Sequence, residues 1–371
     1  MRVVVIGGWA PSLLNFRGQF LAAMVAKGHD VTAMAADGSE EVRAGLAGLG
    51  VRFEDLLLER AGVNPAADLR TVIALVRRFR ALQPQVVFAY TIKPVIYGLL
   101  AAKLARIPIR AAMITGLGYS FGEARSPGQR VVRAVARGLY RSALARSHVV
   151  FFQNQDDRDE FMRRGLLSPR SRIELVRGSG VDLDFYPATP LPPGPPTFLF
   201  IGRLLRDKGI HEYVEAARRV RRNRPDARFR IVGGIDPNPE SVAAADLERW
   251  GKEGIVEYVG ALEDVRPEIG GCHAIVLPSY REGTPRVVLE AMSMGRAVIT
   301  TDVPGCRDTI NDDEQGILIP PRDVDALVGA LLRLIDQPAL LSRYAAAARP
   351  RAEAVYDGRQ VAQRMLTALG L

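Results

Sequence analysis

The run Arg2-Val-Val-Val-Ile-Gly-Gly-Trp-Ala-Pro-Ser12, continued by a periodic stretch to Lys27, Gly28-His-Asp30 and Val31–Ala35, decides the fold class. Uninterrupted apolar residues from Val3 to Ile6 suit a strand buried on both faces of a parallel sheet. Gly7 and Gly8 then make a tight turn or a ligand contact, and both readings stay open. A helix from about Asn15 to Lys27 ends at Gly28, and Val31–Ala35 is the next strand. Strand, turn, helix, strand is a βαβ unit. The turn lacks the G-x-G-x-x-G spacing of a dinucleotide site.

The same grammar continues outward. Val51–Leu57, Val86–Ala89, Arg110–Ile114, Val149–Gln153 and Ile173–Val176 read as strands, with helices near 67–82, 94–106 and 129–148. Thr115-Gly-Leu-Gly-Tyr119 puts glycines just after a strand, where open α/β sheets bind ligands. Tyr186–Pro196 holds six prolines in eleven residues and reads as an interdomain linker. After it the pattern restarts, with strands at Thr197–Ile201, Phe229–Val232, Val256–Val259, Ala274–Leu277, Ala297–Thr300 and Gly316–Ile319. Helices are expected near 210–223, 239–251, 285–294, 323–336 and 338–348. The expectation is an α/β chain of two Rossmann-like, doubly wound domains, 1–187 and 188–351, facing across a cleft. A last helix, 352–371, would cross back to the first domain.

Composition narrows the function. With 371 residues, two domains are the default. Met1 runs straight into a strand pattern, so no signal peptide is expected. No apolar run approaches the ~20 residues that span a bilayer. Two cysteines, Cys272 and Cys306, offer no disulfide framework or metal spacing, which points to a reducing compartment. Net charge is +9, and residues 1–187 hold all of the excess, with 26 Lys/Arg against 16 Asp/Glu. That asymmetry predicts a basic face for an anionic partner: phospholipid, polyprenyl phosphate or nucleic acid. Arg130, Arg133, Arg137 and Arg141 share one helical face, and Val131, Val135 and Leu139 share another. Such a basic amphipathic helix suits a membrane surface or a solvated face. No aromatic-interleaved platform supports a nucleic-acid partner, so none is expected.

The chemistry gathers around Tyr280-Arg-Glu-Gly-Thr-Pro-Arg-Val-Val-Leu-Glu-Ala-Met-Ser-Met-Gly295. Thr284 suits a helix cap, Pro285 the first helical position and Gly295 the end. Glu290 lies among apolar residues and needs a partner if buried, either Arg286 or ligand hydroxyls. Arg203 and Lys208 follow the first strand of this half. Two cations and a helix start would suit a diphosphate, with Glu290 on a ribose and Glu282 on a sugar. Asp157-Arg-Asp159, Asp182-Leu-Asp184 and Asp323-Val-Asp325 spell D-x-D, but the triplet is short and common, and no metal is expected.

Gly202-Arg-x4-Lys-Gly209, Pro278-Ser279, Glu282-x7-Glu290 and Gly316 resemble the retaining glycosyltransferases of family 4, of GT-B fold. The first half resembles them through Ser12–Gly18, Thr91-Ile-Lys-Pro94, Thr115–Gly118, Phe152-Gln-Asn154 and Gly178–Leu183, most like enzymes extending undecaprenyl-diphosphate-linked sugars. The resemblance implies that Arg203 and Lys208 hold the diphosphate of a nucleotide sugar, of the UDP type. Glu282 would hold the donor sugar and Glu290 the ribose. Gly283, Thr284 and Pro285 would line the phosphate. Gly8, Arg17, Lys93, Thr115, Gly116 and Asn154 would contact donor or acceptor. A polyprenyl-diphosphate-linked glycan would be the acceptor, with an anionic membrane surface beside it and no cofactor or metal. A cytoplasmic place on the inner face of the plasma membrane follows. Many relatives carry a cleft histidine, for which His29 and His148 sit at unsuitable places. Two other classes are a UDP-sugar 2-epimerase and a non-catalytic nucleotide or nucleic-acid binder.

Overall fold

The computed structural model describes residues 1–59, 64–117, 127–145, 147–168, 171–236, 238 and 240–371, apart from the side chains of 127 and 129. They form two compact units, residues 1–179 with 358–371, and residues 180–357. In the first, β1 (Arg2–Ile6), β2 (Asp30–Ala35), β3 (Arg52–Asp55), β4 (Val86–Tyr90), β5 (Ile109–Ile114), β6 (Val149–Phe152) and β7 (Arg172–Leu175) make a parallel sheet ordered 3-2-1-4-5-6-7. Its helices are α1 (Pro11–Ala26), α2 (Glu40–Gly48), α3 (Pro65–Leu82), α4 (Ile92–Leu104), α5 (Pro127–Leu144) and α6 (Gln155–Arg163).

The second unit has β8 (Thr197–Ile201), α7 (Ile210–Asn223), β9 (Arg228–Val232), α8 (Ala244–Lys252), β10 (Glu257–Gly260), α9 (Arg266–Gly270) and β11 (Ala274–Leu277). There follow α10 (Arg286–Ser293), β12 (Ala297–Thr301), β13 (Gly316–Ile319), α11 (Val324–Asp336) and α12 (Pro338–Tyr356). Its strands make a second parallel sheet, ordered 10-9-8-11-12-13. The last helix, α13 (Gly358–Leu369), packs on α1 in the first unit.

Strand alternation builds two cores in the first unit. Val3 and Val5 join Leu13, Phe20, Leu46 and Met365 on the side of α1, α2 and α13. Val4 and Ile6 join Leu75, Ile96, Leu99, Tyr140 and Phe161 on the side of α3 to α6. A strand covered on both faces has no polar face to spare, which is why its sequence is an unbroken apolar run. Each such buried side chain contributes roughly 1.5–3 kcal/mol.

Both sheets reverse strand order once, between β1 and β4 and between β8 and β11. At such switch points neighbouring loops diverge and open a crevice at the carboxyl ends of the strands. Gly7 faces Tyr90 and Gly8 faces Thr91 at the first, and Gly209, at the end of the loop after β8, faces Pro278 at the second.

The proline-rich stretch is not a free linker. It lies inside the second unit, where Arg296, fully buried, donates to the carbonyl oxygens of Thr189 (2.8 Å) and Pro190 (3.0 Å). Proline cannot donate to a sheet, but its carbonyl still accepts, and here the acceptors are used. The boundary between the units falls earlier, between Ser179 and Gly180. At the other end α12 runs through Tyr356 in the second unit, so only residues from Gly358 onward join the first.

Candidate active site

The loop after β8 carries Arg203 and closes in a 3₁₀ turn, Arg206–Lys208. Gly209 follows at φ +74°, where a Cβ would stand 2.1 Å from the Pro278 carbonyl oxygen. Only glycine permits both that conformation and that approach. The contact brings the Lys208 loop against the loop after β11, and the Tyr280 amide donates to the Asp207 carbonyl at 2.8 Å.

Lys208 Nζ consequently lies 2.6 Å from Glu282 Oε1, and Ser279 Oγ donates to the same oxygen at 2.9 Å. Ser279 is fully buried, and its carbonyl accepts from the Thr301 hydroxyl. Behind Glu282 the chain passes tightly. The Glu282 amide donates to the Pro304 carbonyl, and a Cβ on Gly305 (φ +82°) would meet the Glu282 and Gly283 carbonyl oxygens. Cys306 is packed in the same place, and burial pushes its thiol up to about 12, so it is a neutral thiol there. Tyr280 is also pushed up to about 12, first by burial and then by its hydrogen bond to Glu212.

Helix α10 starts one residue later than expected. Pro285 is its N-cap at φ −72°, ψ 110°, and Thr284 donates its hydroxyl to the Gly283 carbonyl instead of capping. Glu290 is 8% exposed and pairs with Arg286 at 2.8 Å, one of the two partners its burial demanded. A third residue lies close to them: Tyr186, also buried, whose hydroxyl feels the Glu290 carboxylate. Burial first, and then the negative charge of Glu290, raise the tyrosine well above its ordinary range. The backbone of Tyr186 is fixed by Ser293 Oγ (2.6 Å) and Arg349 (3.0 Å) on its carbonyl. No local pattern links Tyr186 to Glu290, which lies far along the chain. Arg203 is largely exposed and reaches Asp236 at 3.4 Å.

The first-unit candidates divide. Gly8 lies at the switch point, and a Cβ there would stand 3.0 Å from Thr91 Oγ1. Thr91 was not among the expected residues. It holds φ +68°, rare for a β-branched residue, and its Oγ1 is buried without a hydrogen-bond partner. Thr115 and Gly116 follow β5 and are half-buried. Gly118 and Tyr119 of that loop lie outside the described residues.

Three other candidates are held inside the protein. Arg17 is 2% exposed, lies over the Tyr90 ring and donates to Ser179 Oγ at 2.9 Å. Lys93 bonds the Glu59 carbonyl at 2.7 Å and Asp68 at 3.2 Å. Asn154 is the N-cap of α6, its side chain accepting from the Asp157 amide at 2.7 Å. The D-x-D triplets have local uses too. Asp157 is bound by Asn154, Asp182 accepts from the Asp184 and Phe185 amides, and Asp323 caps α11. Among the described residues no three His, Cys, Asp or Glu cluster as metal ligands.

Residues 16–179 match the family described as "Glycosyl transferase 4-like domain", and residues 195–337 match "Glycosyl transferases group 1". The chain belongs to the family 4 glycosyltransferases. Over 379 aligned residues this glycosyltransferase is 29% identical to N,N'-diacetylbacillosaminyl-diphospho-undecaprenol alpha-1,3-N-acetylgalactosaminyltransferase of Campylobacter jejuni, covering 99% of this chain and 97% of that one. It is 25% identical over 287 residues to UDP-Gal:alpha-D-GlcNAc-diphosphoundecaprenol alpha-1,3-galactosyltransferase of Escherichia coli, covering 74% and 72%. Among solved structures, sucrose-phosphate synthase of Thermosynechococcus elongatus matches with a TM-score of 0.81 at 20% identity, covering 99% of this chain and 98% of that one. HepE of Anabaena in complex with UDP matches with a TM-score of 0.77 at 18% identity, covering 100% of both. The fold of this glycosyltransferase is GT-B. Among the described residues no helix is long and apolar enough to cross a membrane.

Proposed function

We propose that this glycosyltransferase moves an N-acetylhexosamine from a UDP-sugar to a polyprenyl-diphosphate-linked sugar, with retention and without a metal. The observation that carries the reading is the second switch point. There a lysine, a serine and a carboxylate meet in one crevice (Lys208, Ser279 and Glu282). The full-length similarity to the Campylobacter jejuni transferase supports the acceptor class. Arg203 and Lys208 would neutralise the donor diphosphate, Glu282 would hold the sugar, and Glu290 the ribose. The bond from anomeric carbon to diphosphate breaks, and the acceptor oxygen bonds to that carbon on the same face. The acceptor proton goes to a phosphate oxygen of the departing UDP. Catalysis is then positioning plus stabilisation of the negative charge growing on the diphosphate. The lipid acceptor would place the enzyme peripherally at a membrane.

The test is turnover of UDP-N-acetylhexosamines with a short-chain polyprenyl diphosphate bearing one sugar, followed by NMR of the new linkage. Transfer with the donor's anomeric configuration is expected, unchanged by chelator. An inverted linkage would refute retention, loss of turnover with chelator would refute metal independence, and epimerised donor without transfer would replace the reading altogether.

A further inference from the structure

Helices α3, α4 and α5 pack side by side on one face of the first sheet. Together they carry ten Lys/Arg and a single acid, Asp68, which Lys93 already pairs. The layer's net charge of +9 equals that of the whole chain. Arg70, Arg77, Arg80, Arg130 and Arg141 are exposed.

The outward faces are not those expected from the arginine spacing. On α5 the inward side takes Arg133, 6% exposed, together with Tyr140, Ala143 and Leu144. Val131 (63% exposed) and Val135 (56%) point outward beside Arg130 and Arg141. On α3, Leu69 (60%) and Ile73 (43%) line the same stripe as Arg70 and Arg77, and Leu104 (57%) ends α4. Both helices thus present aliphatic residues between arginines, with no exposed acid among them.

We propose that the outer surface of α3 and α5 docks on an anionic lipid bilayer, the aliphatic side chains entering the interface and the arginines meeting the headgroups. Charge complementarity selects an anionic partner. The exposed aliphatics select a lipid interface over nucleic acid, which would ask for aromatic platforms instead. Long arginine stems snorkel from an apolar layer to phosphate without desolvating the charge. The proposal rests on the proposed reaction for its purpose but not for its evidence.

Flotation of the full chain with vesicles of phosphatidylcholine alone, or with phosphatidylglycerol added, tests it. Binding is expected only to the anionic vesicles and weakens with salt. L69E/I73E and V131E/V135E lie on exposed faces, so their melting temperatures should match the parent. Each should lower the vesicle partition coefficient at least about tenfold. Single Arg70→Gln or Arg130→Gln exchanges should lower it about fivefold. Absence of anionic-vesicle binding overturns the proposal. So does binding that the aliphatic variants leave intact while an unstructured RNA competes for it, which would assign the layer to a polyanion. UDP release on a water-soluble acceptor, measured in parallel, should be unchanged in these variants. Loss of transfer in the parent protein with vesicle binding intact would count against the reaction alone.

Discussion

Lys208 Nζ and Glu282 Oε1 stand 2.6 Å apart, and both side chains are about five-sixths buried, at 15% and 16% exposure. The cation proposed to meet a diphosphate is therefore already engaged by a carboxylate. Neither charge sits alone in a partly dry crevice, where an uncompensated ion would be costly. A donor phosphate must share or displace this pair.

Two substitutions separate the roles. Lys208→Ala removes the cation and should cut kcat about a hundred- to a thousand-fold, the loss seen for one electrostatic donor to a developing anion. Glu282→Gln frees Lys208, so UDP should bind roughly tenfold more tightly, the size of one charge-assisted hydrogen bond, while transfer falls. Calorimetric titration with UDP, set beside turnover, reads both. Weaker UDP binding in Glu282→Gln would show that the pair does not compete with the ligand.

Tyr186 gives a second prediction. It stands beside the Glu290 carboxylate without itself being a proposed ligand contact. If the Tyr186 hydroxyl positions that carboxylate, Tyr186→Phe should raise KM for the nucleotide sugar about tenfold and leave kcat within a few-fold, the size of one hydrogen bond to a charged group. With a donor lacking the ribose hydroxyls the variant and parent should behave alike. An equal loss on both donors would mean that Tyr186 acts through the fold instead.

Arg296 tests the proline-rich stretch. Its guanidinium also serves the carbonyls of Ile269 (2.8 Å), Gly270 (3.0 Å) and Met294 (3.0 Å). Arg296→Met strands several buried acceptors, so a loss of at least about 3 kcal/mol is expected. For a unit of this size that lowers the melting temperature by roughly 6–12 °C. Calorimetry decides. A shift under about 2 °C would return the stretch to the free linker that its composition suggests.

The contrast between Arg296 and the strands shows where sequence reading works. β1, β4, β8 and β11 are sandwiched between helices, so their apolar runs were legible without partners. Glu282 and Glu290 were legible because a carboxylate beside a glycine loop or inside an apolar helix is unusual locally. Prolines signal that a segment leaves the sheet, but not that a distant arginine gathers its carbonyls. Periodicity showed that Arg130 and Arg133 lie near one helical face. It could not show where α4 and the sheet would take that helix, and Arg133 turned inward while Val131 turned out. Tyr186 and Thr91 matter through neighbours that only the fold supplies.

Thr91 offers the sharpest separation of stability from activity. Left-handed backbone at a β-branched residue costs about 1–3 kcal/mol. The buried, unpartnered Oγ1 adds no compensating bond within the protein. Thr91→Gly relieves the strain at about 0.4–1 kcal/mol of extra unfolded-state entropy, so the melting temperature should rise. Thr91→Ala keeps the strain and removes the unpartnered hydroxyl together with the γ-methyl of a half-buried residue, so its melting temperature should move little. If the hydroxyl meets a substrate at the crevice beside Gly8, both variants should lose transfer, by about tenfold for one missing hydrogen bond. Melting curves and steady-state turnover on the two variants make the comparison. Full activity in Thr91→Ala would leave the strained backbone with a structural purpose alone.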